Sequence, residues 1–231
     1  MRARAAEIAA ASALTGARDS AALEGADVSL DVVRAGLDDS PLGRAVASSL
    51  AVTSAVPGQV DAWLRAPLQV LAHLHALAAR GFEADDDLGR PRRQDEVVDP
   101  LHLGAPLPWQ EVADRLVGLA DVLTQPTTAP AMVVAAIAHG ELMVLQPFRW
   151  GSGLIARASV RLVLASRGVD PDLLGCPEAG MLSLGRSSYV AALRAYRSGE
   201  PAGVAEWIRW NASAVGFGAS SDAPHRQAGG D

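Results

Sequence analysis

One cysteine in 231 residues, Cys176, leaves no partner for an intrachain disulfide and too few thiolates for a cysteine-based metal site. A lone thiol fits a reducing compartment, so a cytoplasmic location is expected. Aromatic residues make up only 4% of the chain and β-branched residues are sparse, while alanine and leucine dominate. Propensity summed over most windows therefore favours helix over strand, and an all-α fold is expected. Long apolar runs are missing as well: no stretch approaches the roughly 20 residues needed to cross a bilayer. The opening segment from Met1 to Ala17 places Arg2 and Arg4 before an alanine-rich run, but Glu7 interrupts it and alanine supplies little hydrophobicity. It reads as an amphipathic helix rather than a leader. An excess of positive charge is also absent. The net charge of -6 and pI near 5.3 argue against a surface that neutralises nucleic-acid phosphates. Neither a membrane nor a nucleic acid is expected as a partner.

What the sequence does contain is apolar content of 49%, enough for one substantial core. The pattern divides into N-terminal helices over 1–60, a helical core over 61–214 and a disordered tail over 215–231 rich in Gly, Ser and Ala. Leu64, Leu68, Leu71 and His75 recur at helical spacing and predict a helix from Asp61 to Arg80. The charged, proline- and glycine-bearing stretch from Gly81 to Pro108 should be exposed and irregular, with Val97 and Val98 placed for a short β-hairpin arm. Pro108 stands where helices start, and Val112, Leu116, Leu119 and Leu123 form a stripe of period 3.6 that runs to Thr124. Ala131 to Leu145 is apolar almost all round, which predicts a helix at the centre of the domain. Farther on, Tyr189, Leu193 and Tyr196 share one helix face, and Val204, Trp207 and Ile208 another.

Between the central helix and the next, Gln146-Pro-Phe-Arg-Trp-Gly-Ser-Gly153 forms a glycine-containing loop that feeds a helix N-terminus. Free N–H groups and the helix dipole at such a place favour an anion, so the loop can cradle phosphate. An ordinary helix-to-helix turn accounts for the same residues. His139 lies seven positions before Gln146, about 10 Å along a helix axis, too far to act in its place, and reads as a packing histidine in an apolar helix.

The order of these features from about residue 18 to 210 resembles the Fic (Fido) family, whose signature H-P-F-x-[DE]-G-N-G-R-x-x-R sits between two core helices. Pro147, Phe148, Gly151, Gly153 and Arg157 match it at the right spacing. Family members move AMP from ATP onto a protein hydroxyl, and the resemblance implies an all-α Fic fold with ATP or another nucleotide as ligand. It also implies that Gln146 occupies the position of the histidine base, an amide with no usable pKa. Trp150 stands in place of the acid that holds Mg²⁺, Ser152 in place of asparagine, and Leu154 in place of the first arginine. Trp150 has no oxygen for a hard cation, so Mg²⁺ is not expected. On this resemblance Gly151, Ser152, Gly153 and Arg157 are the anion- or nucleotide-binding residues, and AMP transfer from Mg-ATP should be weak or absent.

Near the N-terminus, Ser20-Ala-Ala-Leu-Glu24-Gly25 matches the family's inhibitory pattern [ST]-x-x-x-E-[GN]. The resemblance implies that Glu24 pairs with Arg157 across the phosphate pocket, with Ser20 in the same motif. A surface acid in an alanine-rich helix is the plainer alternative. Gly89 to Val98 is similar in position to the family's flap, a hairpin that aligns a target protein by strand addition, and a solvated charged loop fits as well. Two further readings stay open: a divergent nucleotidyl or phospho-group transferase in which Gln146 orients the substrate, and a non-enzymatic regulatory or toxin-antitoxin-type interaction module.

Overall fold

The computed structural model describes residues 2–220. Among them are eleven α-helices: α1 (Arg2–Leu23), α2 (Leu30–Ala35), α3 (Pro41–Ala55), α4 (Val60–Trp63), α5 (Pro67–Ala78), α6 (Trp109–Thr124), α7 (Ala131–Leu145), α8 (Ser152–Ser166), α9 (Pro177–Ser183), α10 (Arg186–Arg197) and α11 (Pro201–Ala219). Short 3₁₀ turns span Val56–Gln59 and Asp85–Asp87. No strand occurs among the described residues, where a single isolated bridge joins Arg80 and Glu83. The fold is all-α, and none of these helices is long and apolar enough to cross a membrane.

The most enclosed helix is α8, not the one the sequence placed at the centre. Every residue of α8 from Ser152 to Ala165 is buried, and it touches α1, α3, α4, α5, α7 and α9. Arg157 and Arg161 disguise this in the sequence, because each is a charge that only a partner elsewhere in the chain allows to be buried. Helix α7 packs along α8 and against α6, α10 and α11, and keeps Ile137 and Val144 partly open. Leu23, Val52 and Val56 from the N-terminal helices join the same apolar cluster as Leu74, Leu142, Ile155 and Trp207. Ala21, Ala26, Val33 and Val46 form a second, smaller cluster beneath α1.

The stripe of α6 lies as its period requires, with Val112, Leu116, Leu119 and Leu123 all buried. At about 1.5 to 3 kcal/mol per fully buried aliphatic side chain, those four residues hold the helix in place. The helix expected from Asp61 to Arg80 is instead two. Pro67 opens α5, and the residue before a proline is pushed out of the α region, as Ala66 is at φ -146° and ψ 58°. The break turns Leu64 and Leu68 outward, 45% and 37% exposed, and the buried face of α5 is Val70, Leu71, Leu74, His75 and Ala78.

Two further expectations are corrected. No hairpin forms between Gly89 and Val98; that segment is irregular, bending at 93–95, and is tied to the 147–149 loop by Arg92 N–H donating to Pro147 O (2.9 Å) and Val98 N–H to Arg149 O (2.7 Å). The loop takes up the donors that a second strand would have needed. The tail does not start at 215, because α11 continues to Ala219. Val215 is buried, and Gly218 lies so close to Cys176 O that a Cβ there would overlap it, so the small residues that resemble a tail are a packing surface. The remainder of the expected tail, 221–231, falls outside the described residues.

Candidate functional site

The elbow between α7 and α8 is made by two left-handed residues. Gln146 ends α7 at φ 44°, ψ 63°, and Gly151 precedes α8 at φ 77°, ψ 6°. Holding a non-glycine residue in that region costs energy that its surroundings must offset. Arg92 does so. Its guanidinium, 7% exposed, donates from Nε to Gln146 O (2.8 Å) and from Nη2 to Leu107 O and, at 3.4 Å, to Leu145 O. Nη1 reaches Gln94 O at 2.9 Å. The last carbonyls of α7, which no helical N–H can reach, are thereby satisfied by a cation that also favours the helix dipole. Arg92 sits in a run of charged residues that the sequence marks as exposed, and only its burial shows its part.

Ser152 turns its side chain back into the loop. Its hydroxyl donates to Phe148 O (3.1 Å) and accepts from Phe148 N–H (3.2 Å), stapling the loop to itself. Phe148 in turn stacks on His75, centroids 4.0 Å apart, while His75 Nδ1 accepts the Gly89 N–H at 2.9 Å. Arg149 points outward to Glu96 (3.0 Å), and Trp150 stacks on Phe82 with centroids 4.0 Å apart. The loop is thus braced from both sides, and the donors beside it that remain are the N-terminal N–H groups of α8 and Arg157.

Arg157 is completely buried and fully engaged. Nη2 meets Glu24 Oε1 at 2.7 Å and Ser20 O at 3.1 Å, Nε donates to Ser20 Oγ at 2.7 Å, and Nη1 reaches Tyr189 OH at 3.4 Å. Burial, the largest single influence, lowers its pKa, but Glu24 and Tyr189 together outweigh it, and the net shift is upward. Glu24 also rests on Gly153, where any Cβ would overlap Oε1. The carboxylate therefore occupies the first turn of α8, the position that a helix N-terminus offers to an anion. The structure brings Ser20, Glu24, Gly153 and Arg157 together; Gly151 lies beside them, whereas Gln146 belongs to the opposite end of the loop.

Behind Arg157 runs a buried polar chain that sequence spacing does not reveal. Tyr189 OH is 2.7 Å from His139 Nε2, and Asn211 Nδ2 is 2.8 Å from His139 Nδ1. Burial first, and Arg157 second, hold the His139 pKa far below its usual value, so the ring is neutral. Burial pushes the Tyr189 phenol up to about 12 against the pull of Arg157. His139 is a packing residue in contact with Tyr189 and Trp207, not a base for the loop. One turn beyond Arg157, Arg161 donates to Glu178 (Nε–Oε1 2.8 Å, Nη2–Oε2 2.7 Å) and to Ser12 Oγ and O, both at 3.1 Å. Two arginines four residues apart on α8 thus hold α1 at two points, Ser12 and Ser20–Glu24. The signal for Arg161 was its place as a charge in an otherwise apolar helix at the same helical face as Arg157.

A cavity of about 220 Å³ opens beside Glu24, walled by Phe82, Val98, Pro100, Trp150 and Leu154. It is mainly apolar and smaller than the several hundred Å³ usual for ligand pockets. The loop carries no carboxylate, Glu24 is spent on Arg157, and no cluster of three His, Cys, Asp or Glu suited to a metal exists among the described residues. The donor set at the elbow does not fit Mg²⁺.

No protein-family model matches the chain, and no curated protein matches it at a significant level. Solved structures do. A Fic family protein from Desulfovibrio desulfuricans G20 superposes with a TM-score of 0.68 at 19% identity, over 89% of this chain and 64% of its own. Fic-1 from C. elegans gives 0.67 at 18%, over 88% and 60%, and a variant of the same fragment gives 0.62 at 18%, over 88% and 62%. This chain thus spans less than two thirds of the length of these proteins. The chain has the Fic fold.

Proposed function

We propose that the chain is a Fic-fold nucleotide-binding protein with a degenerate transfer site, held closed by its own helix α1. The reading is carried by one observation: the Glu24 carboxylate lies over Gly153 and 2.7 Å from Arg157, where the phosphates of a nucleotide would otherwise meet the α8 N-terminus. With Glu24 in place the adjacent space of about 220 Å³ is too small for a nucleoside triphosphate, so binding requires α1 to move. Once that has happened, Arg157 and the first N–H groups of α8 hold phosphate oxygens, and the apolar wall of Trp150 and Phe82 receives the rest of the ligand. Loss of AMP transfer follows from chemistry: Gln146 cannot take a proton from a hydroxyl nucleophile, and the site has no carboxylate for a metal. No metal-assisted step is assigned.

A second reading, a divergent transferase, draws on Gln146 itself. Its Oε1 is buried without a hydrogen-bond partner, so a hydroxyl or amide donor from a substrate would satisfy it and orient that group. Incubation with labelled nucleotides separates the two. Wild type, Glu24→Gly and Arg157→Ala are compared for binding and for label carried onto protein. Binding by Glu24→Gly without transfer, lost in Arg157→Ala, supports a degenerate site. Arg157-dependent transfer supports the second reading, and absence of binding in every form leaves the fold with a purely protein-docking role.

A further inference from the structure

The second basic centre of the molecule lies on α10, across the Val98–His102 segment from the elbow. An open cavity of about 390 Å³ is walled by Arg186, Arg194, His102 and Ser187 over Leu101 and Val190. Arg186 donates to Leu23 O (Nε, 3.1 Å) and Pro100 O, and Arg194 to His102 O (Nη2, 2.9 Å). Arg197, one turn on, donates to Leu103 O at 2.8 Å and to Ala105 O. All three therefore bond to backbone carbonyls, and no carboxylate lies within salt-bridge distance of any of them among the described residues. The one acid of the facing loop, Asp99, directs Oδ2 onto the Leu103 N–H at 2.6 Å.

In a chain of net charge -6, three arginines on one helix without a counter-ion form a local surplus of positive charge, and two of them wall a concave space. The carbonyl contacts fix the guanidinium planes but leave the charges uncompensated. Ser187 and His102, the latter held at φ 53°, also line the cavity. Arg186 and Arg194 are eight residues apart, about 12 Å along the axis, and their long side chains lean over one cavity. A ligand with two anionic ends satisfies both, whereas a single carboxylate reaches one.

We propose that this cavity binds a small, multiply charged oxyanion, with a diphosphate group as the class that fits. The site is separate from the Glu24–Arg157 elbow and does not depend on the nucleotide reading of it. Titration of inorganic pyrophosphate into the full chain at low ionic strength, without divalent metal, tests it by calorimetry and by amide chemical shifts. Saturable binding is expected, weakened by about tenfold in Arg194→Gln and retained in Arg194→Lys. Arg194 is exposed and its removal leaves the core intact, so it decides the matter; Arg186→Gln, which also severs the Leu23 contact, should follow it. Absence of binding overturns the proposal. So does binding that survives Arg194→Gln but is lost in Arg157→Ala, which would put the pyrophosphate at the elbow. Arg194-dependent binding of an acidic peptide with none of pyrophosphate would overturn it too, and make the groove a protein-docking surface.

Discussion

Changing Glu24 to glutamine keeps a side chain of the same shape over Gly153 and removes only its charge. Arg157 is completely buried, so its counter-charge matters; breaking a fully buried pair costs about 3 to 5 kcal/mol. Glu24, however, is 17% exposed, and Arg157 keeps its bonds to Ser20 Oγ and Ser20 O. The loss should therefore be smaller, about 1 to 3 kcal/mol, the range for a hydrogen bond to a charged group. For a domain of this size that lowers the melting temperature by roughly 2 to 12 °C. Glu24→Gly removes the side chain as well, and should melt at least as early without ligand while becoming responsive to it. ATP at a hundredfold excess over Kd would return about 2.7 kcal/mol to that variant. Differential scanning fluorimetry of wild type, Glu24→Gln and Glu24→Gly, each with and without ATP, reads both effects. Variants that melt with the wild type and ignore ATP would show that the pair neither clamps α1 nor guards the elbow.

Three other perturbations carry equally definite expectations. Arg161→Met leaves Glu178 buried and unpaired and should cost about 3 to 5 kcal/mol in urea denaturation, with much of the loss recovered in Arg161→Met/Glu178→Leu. Asp19 is buried and its pKa is raised to about 6, by desolvation first, with Arg18 opposing. A carboxyl raised in the folded state binds its proton more tightly there than in the unfolded chain, so stability falls as pH rises from about 4 to 6 and the cost persists above that window. Asp19→Asn should flatten this slope and gain roughly 2 to 3 kcal/mol at neutral pH in denaturant melts. Arg92→Met uncaps α7 and should cost about 1.5 to 3 kcal/mol, with faster amide hydrogen exchange at residues 146–153 than elsewhere.

Much of this architecture was legible because it rests on local pattern. The α6 stripe, the all-apolar run of α7 and the proline and glycine of the elbow each follow from neighbours a few residues away, and the structure places them where spacing requires. The single helix expected from Asp61 to Arg80 divides because Pro67, a stronger local signal than apolar periodicity, forces Ala66 out of the helical region. The hairpin failed for a different reason: Arg92 and Val98 give their N–H groups to the elbow loop, a pairing between segments some fifty residues apart. Distance in sequence also hides the arginine partners. Arg161 meets Ser12 and Glu178, and Arg92 meets Leu145 and Gln146, so their partners, and their part in bracing α1 and the loop, are not visible in any window around them. Family spacing marks Ser152 as a phosphate ligand, and the bonds of its hydroxyl to Phe148 are beyond what spacing shows.

The central claim, that Glu24 holds the place of a ligand's phosphates on Arg157, is tested most directly by calorimetric titration of ATP into Glu24→Gly and into Glu24→Gly/Arg157→Ala, with EDTA present. Metal-independent binding to the first, weakened by at least about tenfold in the second, is the expected result. Equal affinity in the two, or a wild type that binds ATP as tightly as Glu24→Gly, would contradict it.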